Sequence, residues 1–163
     1  MQIRRLPLLA LYTTIALAIS VIEAQIPLLS PGVKLGLSNI VTLAALLFFG
    51  RREAGLILTA RILLSAFLLG RASMLLFSAA GGLSAFLVMA LALKALPRKQ
   101  IWVVSILGAI AHNTGQLLVA VFYLQDTIFL FLVPTLLISA ILTGCFTGLA
   151  ARWLLRYENW FAR

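Results

Sequence analysis

The sequence has little charge and few of the side chains that usually carry chemistry. Charged residues make up 10% of the 163 residues, and there is one cysteine and one histidine. A soluble domain has roughly a quarter of its residues charged, because charge covers its surface. Hydrophobic residues make up 63%, against about 45–50% in soluble domains. The composition therefore excludes a soluble globule and indicates an integral membrane protein.

The same scarcity excludes several kinds of reaction for this chain alone. Prenyl-chain synthesis from diphosphates needs clustered aspartates to hold Mg²⁺, and Asp126 is the one aspartate. ATP-driven pumping needs a glycine-rich phosphate loop with its lysine, a pattern that the sequence lacks. Zinc and haem sites need several ligands placed together, whereas His112 and Cys145 lie in different apolar runs. We expect no catalytic residue, metal or cofactor, and at most an accessory role in an enzyme.

Charges and prolines divide the apolar sequence into six pieces. A bilayer core of about 30 Å takes roughly 20 apolar residues in a helix. We therefore predict an all-α integral membrane protein, a single membrane domain over residues 1–163 with six transmembrane helices and short connections. The spans are predicted at about 6–24, 35–50, 54–70, 73–96, 101–124 and 127–155.

Basic residues lie mostly on one side of this predicted bundle. One side holds Arg4, Arg5, Arg51, Arg52, Lys94, Arg98, Lys99, Arg152, Arg156 and Arg163, while the other holds Lys34 and Arg71. Because cytoplasmic loops carry the excess of Lys and Arg, both termini are predicted to be cytoplasmic, in the inner (plasma) membrane of a bacterium. This topology explains the net charge of +9, and no nucleic-acid partner is required.

Polar side chains recur at helical spacing inside the predicted spans. Residues four apart share one helical face, as Lys34, Ser38 and Thr42 do, and likewise His112 and Gln116. The rise of 1.5 Å per residue puts these groups in one layer, which predicts a pocket open to the outside. The predicted ligand-binding residues are Lys34, Asn39, Arg61, Gly81, Gly82, His112, Asn113 and Gln116.

Plainer interpretations stay open beside this one. Stripes of Gly, Ser and Thr are more often packing surfaces than ligand sites. His112 would then be a hydrogen-bonded interior residue, and Arg61 would snorkel to the interface or pair structurally. In the first span Ala10, Thr14 and Ala18 lie four apart. Small residues let another helix approach closely, so we predict that a partner protein docks there.

Four motifs, in order along the chain, resemble one family. They are Pro31-Gly32-Val33-Lys34-Leu35-Gly36-Leu37-Ser38-Asn39-Ile40-Val41-Thr42, Arg61-Ile62-Leu63-Leu64 followed by Gly70, Gly81-Gly82-Leu83-Ser84, and Ala111-His112-Asn113-Thr114-Gly115-Gln116-Leu117-Leu118-Val119-Ala120. The sequence resembles the Gx transporter or heptaprenyl diphosphate synthase component I family, which is similar to the S components of energy-coupling-factor (ECF) transporters. The resemblance implies a six-helix fold, an outward-facing site and a first helix that docks an energising module.

Three functions are compatible with these observations. The first is an S-component-like transporter subunit that takes up a small anionic or isoprenoid- or vitamin-like metabolite, with an ECF-type coupling subunit and ATPases as partners. The second is a non-catalytic accessory subunit in polyprenyl diphosphate or quinone synthesis, or in flavin- or quinone-linked extracellular electron transfer. It would bind a prenyl synthase or a flavoprotein. The third is a structural membrane subunit whose polar stripes only hold helices together.

Overall fold

The computed structural model describes residues 6–25, 35–70 and 72–155, and these residues form helices and no strands. The α-helices are α1 (Leu6–Gln25), α2 (Asn39–Phe48), α3 (Arg51–Leu69), α4 (Ala72–Ala95), α5 (Ile101–Leu124) and α6 (Val133–Leu154). Short 3₁₀ segments, Arg98–Gln100 and Thr127–Leu132, lead into α5 and α6. The predicted all-α class is confirmed for this part of the chain.

In the part of the chain that the structure describes, four helical stretches are long and apolar enough to cross a membrane. They are Leu6–Gln25, Leu75–Ala95, Arg98–Tyr123 and Thr127–Leu154. The chain is therefore a membrane protein. By the same criteria α2 and α3 do not qualify, since α2 has 10 residues and α3 contains Arg51, Arg52, Glu53 and Arg61.

The short helix α2 lies at the centre of the bundle. It contacts each of the other five α-helices, and seven of its ten residues are buried. Around it, α5 packs along both α4 and α6, and α1 packs against α3. Because its neighbours cover it on all sides, α2 is stabilised by burial of its apolar side chains rather than by contact with lipid.

Two helices begin later than the sequence predicts. In the segment 35–50, Gly36 has φ +80° and residues 37 and 38 form a turn, so the α-helix starts at Asn39. In the segment 127–155, Asp126 accepts a hydrogen bond from the Ile128 N–H at 2.8 Å and starts a 3₁₀ turn. Pro134 has no N–H to donate to the preceding turn, which is why α-helical bonding begins only at Val133.

Glycines bring α5 close to both of its main neighbours. A Cβ on Gly115 would lie 2.6 Å from the Ala80 carbonyl oxygen, and a Cβ on Gly148 would lie 2.6 Å from the Trp102 Cα. Beside this contact, the hydroxyls of Ser105 and Thr147 are 2.7 Å apart. The face of α6 that carries Gly144 and Gly148 is therefore a packing surface for α5.

Candidate functional site

A small polar cavity lies inside the bundle, between the start of α2 and helices α1, α3, α4 and α5. It is lined by Ser20, Ser38, Arg61, Ile62, Ser65, Ser78 and His112. Its volume is about 10 Å³, which is room for about one water molecule. We call the polar side chains in and around this cavity, including Glu23, Asn39 and Gln116, the Arg61 cluster.

Arg61 is the cation of the cluster. Its side chain is 3% exposed, and Nη1 donates a hydrogen bond to the Ser38 hydroxyl. Its charge also interacts with that of Glu23. Arg61 therefore points into the bundle and does not snorkel to the surface. The α4 backbone passes beside it at Gly82, where a Cβ would lie 3.1 Å from Nη2 of Arg61.

Glu23 joins the end of α1 to the start of α2. Its side chain is 2% exposed, and Oε1 accepts hydrogen bonds from the N–H groups of Gly36 and, at 3.0 Å, of Leu37. These donors precede the first turn of α2, whose own first N–H groups bond to the carbonyl oxygens of residues 36 to 38, so the carboxylate fixes the segment that leads into the helix. The sequence-based site left out Glu23 and Ser38, although an acidic residue inside an apolar span is itself a signal of a functional or paired charge.

Asn39 is buried with an unused amide. It is 6% exposed, and neither its Nδ2 nor its Oδ1 has a hydrogen-bond partner in the described part of the chain. A Cβ on Gly36 would lie 2.9 Å from Nδ2 of Asn39 and 3.0 Å from Cδ2 of His112. Gly36 thus lies against both side chains, and there is no space for a larger residue at this position.

His112 and Gln116 lie one turn apart on α5, as their spacing predicts. They are 3% and 0% exposed. The backbone of α4 crosses directly over them at Gly81, where a Cβ would lie 2.8 Å from the Gln116 Cγ and 2.9 Å from the His112 Cε1. Gly81 and Gly82 together let α4 approach the polar face of α5 and the guanidinium of Arg61.

Asn113 faces away from the cluster. Its Nδ2 donates to the Leu136 carbonyl oxygen at 2.9 Å and to the Ser139 hydroxyl at 3.4 Å. Consecutive residues of a helix are rotated by about 100°, which directs Asn113 toward α6 while His112 faces the bundle interior. The structure thus brings together Asn39, Arg61, Gly81, Gly82, His112 and Gln116, but not Asn113, and Lys34 lies outside the described residues.

The small residues of α1 lie on its outer face. Ala10, Thr14 and Ala18 are exposed, and the Thr14 hydroxyl donates to the Ala10 carbonyl oxygen within the helix at 2.9 Å. The opposite face of α1 carries the buried Tyr12 and Ala16. The outer face is therefore open to another helix, and docking of a partner there stays a prediction.

Comparison with known proteins gives one family. Residues 12–154 match the family described as heptaprenyl diphosphate synthase component I. The chain belongs to this family. The resemblance predicted from the four motifs is thereby confirmed. Searches of curated proteins and of solved structures gave no significant match.

Within this member of the component I family, the matched range contains the whole Arg61 cluster. The cluster combines one guanidinium, the carboxylate of Glu23, serine hydroxyls, an imidazole and two carboxamides, all buried in the bundle. Guanidinium and amide N–H groups are the donors that proteins use to hold oxyanions. These donors are suited to binding a small group with carbonyl or anionic oxygens, and the Glu23 carboxylate already offsets part of the charge of Arg61.

Proposed function

We propose that this member of the heptaprenyl diphosphate synthase component I family is a membrane-embedded, S-component-like binding subunit. It takes up a small anionic or isoprenoid- or vitamin-like metabolite, whose polar group binds in the Arg61 cluster. The observation that carries the proposal is the buried guanidinium of Arg61, which donates to Ser38, in the same cluster as the Asn39 amide, which has no hydrogen-bond partner among the described residues.

The physical reason is the cost of such groups inside a membrane protein. A guanidinium has five N–H donors, and the bond to Ser38 uses one of them. Burying an amide without hydrogen bonds costs roughly 1–3 kcal/mol judged from protein mutations. A ligand with several oxygens would engage both groups at once. Its binding would offset a desolvation cost that is already present in the folded chain.

Binding also requires the bundle to open. The cavity of about 10 Å³ is smaller than any metabolite, so Ser38 and Asn39 must move away from α3 and α5 as the ligand enters. Gly36, with its positive φ of 80°, lies just before these residues and allows such a movement. Arg61 would then exchange its contact with Ser38 for contacts with the ligand.

The proposal includes the predicted membrane arrangement. The chain forms a single membrane domain in the inner membrane, with six spans and both termini cytoplasmic. Length and composition identify four of these spans, and α2 and α3 are the other two. Lys34 attracts the anion from the outer side. The exposed face of α1 with Ala10, Thr14 and Ala18 docks an ECF-type coupling subunit, which with its ATPases would drive uptake.

The experiment compares two arginines of one helix. The purified protein in nanodiscs is titrated with inorganic diphosphate as the probe, together with the variants Arg61→Gln and Arg52→Gln. Hydrogen bonds to charged groups contribute roughly 1.5–3 kcal/mol, so we expect Arg61→Gln to weaken binding by about 10- to 100-fold. Arg52 lies on the same helix but is exposed, and its replacement should leave the affinity unchanged.

Two further results decide the matter if Arg61→Gln folds poorly. Asn39→Ala removes the unpartnered amide without uncovering a charge, and it should also weaken diphosphate binding while the thermal transition stays near that of the unmodified chain. Equal affinities for the unmodified chain, Asn39→Ala and Arg61→Gln would overturn the assignment of the Arg61 cluster. So would the absence of binding in the unmodified chain.

The family's description favours a second candidate. It names a component of a heptaprenyl diphosphate synthase, which suggests a non-catalytic membrane subunit that associates with a catalytic prenyl synthase. Purification from native membranes separates the two candidates. The accessory role predicts that a prenyl synthase accompanies the chain without ATPase subunits, whereas the transporter role predicts a coupling subunit with ATPases.

A further inference from the structure

A notch lies between α5 and α6, on the side of α5 that faces away from the Arg61 cluster. Its walls are formed by Ile110, Leu117, Val133 and Leu137, with Asn113 and Thr114 as its polar side chains, and its volume is about 30 Å³. Leu137 and Thr114 are exposed. Because α5 and α6 belong to the stretches that can span a membrane, the notch opens toward lipid.

The amide of Asn113 has a fixed orientation in this notch. Its Nδ2 donates to the Leu136 carbonyl oxygen at 2.9 Å, and a carbonyl can only accept, so the amide cannot be turned around. Oδ1 therefore points away from this bond. Asn113 is 4% exposed, and its Oδ1 has no donor in the described part of the chain.

The polar atoms that Asn113 and Thr114 leave at the notch are acceptors, and Oδ1 of Asn113 is itself buried, so a donor reaches it only where the lining side chains shift. The Thr114 hydroxyl already donates to the Ile110 carbonyl oxygen at 2.9 Å, so its oxygen offers lone pairs and no hydrogen. None of the residues that line the notch is charged. This chemistry selects a neutral donor and disfavours an anion or a bare carbonyl, which is the opposite of the preference of the Arg61 cluster.

We propose that this notch is a second binding site, which holds the hydroxyl end of a long-chain alcohol. The hydroxyl donates to Oδ1 of Asn113, while the chain lies against the apolar walls and along the lipid-facing surface of α5 and α6. Burying a hydrogen-bond acceptor without a partner costs free energy. The hydroxyl of a long-chain alcohol supplies the missing donor, while the hydrocarbon chain stays in lipid. The proposal does not depend on the Arg61 cluster.

The test uses hexadecanol that carries a diazirine on its chain, and the matching methyl ether, which has no donor. The purified protein in nanodiscs is photolabelled, and the labelled peptides are mapped. Unlabelled hexadecanol should compete about 3- to 10-fold better than its methyl ether, as expected for one hydrogen bond. The labels should lie on α5 and α6.

Two threonines supply the matched variants. Thr59 on α3 makes the same bond to its own helix as Thr114, to the Gly55 carbonyl oxygen at 2.9 Å, and is also exposed. Thr114→Phe fills the notch and should abolish labelling of α5 and α6, whereas Thr59→Phe should not change it. If Thr114→Phe unfolds, Leu137→Trp fills the notch from α6 and should have the same effect.

Three outcomes would overturn the proposal. In the first, the methyl ether competes as well as hexadecanol. In the second, Thr114→Phe and Leu137→Trp are labelled as strongly as Thr59→Phe. In the third, neither probe labels α5 or α6. The last result would mean that the notch holds water only.

Discussion

At the residue scale, the two adjacent glycines of α4 determine how closely the polar groups pack. At Gly81 the space for a Cβ is already occupied by Gln116 and His112, with distances of 2.8 and 2.9 Å. Gly55 on α3 is the contrasting case, because a Cβ there would meet only the Cζ of Phe86, at 3.8 Å. The same substitution therefore has opposite effects at the two positions.

We predict that Gly81→Ala lowers the free energy of unfolding by about 1–3 kcal/mol, because the added methyl group overpacks the α4–α5 contact. Gly55→Ala should raise it by about 0.5–1 kcal/mol, since alanine is favoured over glycine in a helix and no atom must move. Thermal unfolding in detergent measures both. A Gly81→Ala protein as stable as Gly55→Ala would contradict the close contact.

Part of the site could be predicted at this scale. The four-residue spacing of His112 and Gln116 correctly places both on one face of α5. The rotation of about 100° per residue separates Asn113 from them, but the sequence does not say which face meets α4 and which meets α6. For a similar reason, the sequence allowed two positions for the Arg61 side chain, inside the bundle or at the membrane interface. Ser65, four residues later, lies on the same face of α3 and lines the same cavity, but one serine in an apolar helix does not distinguish an interior face from a lipid-facing one.

At the element scale, the start of α2 depends on a residue from another helix. Its own residues supply no side-chain cap, since Ser38 makes none, and Glu23 of α1 accepts from the two N–H groups just before it. The prediction of a span over 35–50 came from apolar composition. It could not include Gly36 as a break, because the conformation of that residue is determined by contacts from α1 and α5.

We expect Glu23→Gln to loosen this connection. An amide oxygen still accepts a hydrogen bond, but it loses the charge that strengthens bonds to N–H groups and that interacts with Arg61. Amide hydrogen exchange at Gly36 and Leu37 should become about 10-fold faster, equivalent to roughly 1.4 kcal/mol of local opening free energy. The control is Glu53→Gln, an acid in the first turn of α3, which should leave exchange at these two amides unchanged.

At the scale of the whole molecule, basic side chains collect at one end of the bundle. Arg51 at the start of α3 donates to the Ala90 carbonyl oxygen of α4 at 3.0 Å, one turn before Lys94. On the neighbouring helices, Gly148 packs on Trp102, so Arg152 lies near the 3₁₀ segment Arg98–Gln100. The contacts thus gather the basic ends of α3 to α6 on one side, as expected from an antiparallel arrangement.

This arrangement predicts where reporters fused to the chain are active. Alkaline phosphatase is active only outside the cytoplasm, so a fusion at the C-terminus should be inactive, whereas a fusion after Gln125, between α5 and α6, should be active. A green fluorescent protein at the C-terminus should fluoresce. Phosphatase activity at the C-terminus would contradict the predicted cytoplasmic placement of the basic end, which rests on the rule that short positive loops stay on that side.

The helical class and the boundaries of α1, α4 and α5 follow from apolar runs broken by charge and proline. The central position of α2 does not, because a short and mostly apolar run reads the same in a core as in lipid. The cluster was predicted as a layer, from the helical spacing and the depth of its polar residues. Which residues belong to the cluster depends on which faces of five helices meet. The close contacts at Gly36, Gly81 and Gly82 determine those faces, and the sequence does not show them.

The chain order of the buried charge and its partners has a consequence for biosynthesis. Glu23 and Ser38 are both translated before Arg61, so the groups that neutralise and hydrogen-bond this arginine have already left the ribosome when α3 enters the insertion machinery. An arginine alone at the centre of a helix costs about 2.5–3.5 kcal/mol on insertion scales. The residues that pair with Arg61 are therefore already in place to reduce this cost when α3, which is the least apolar of the six described α-helices, inserts.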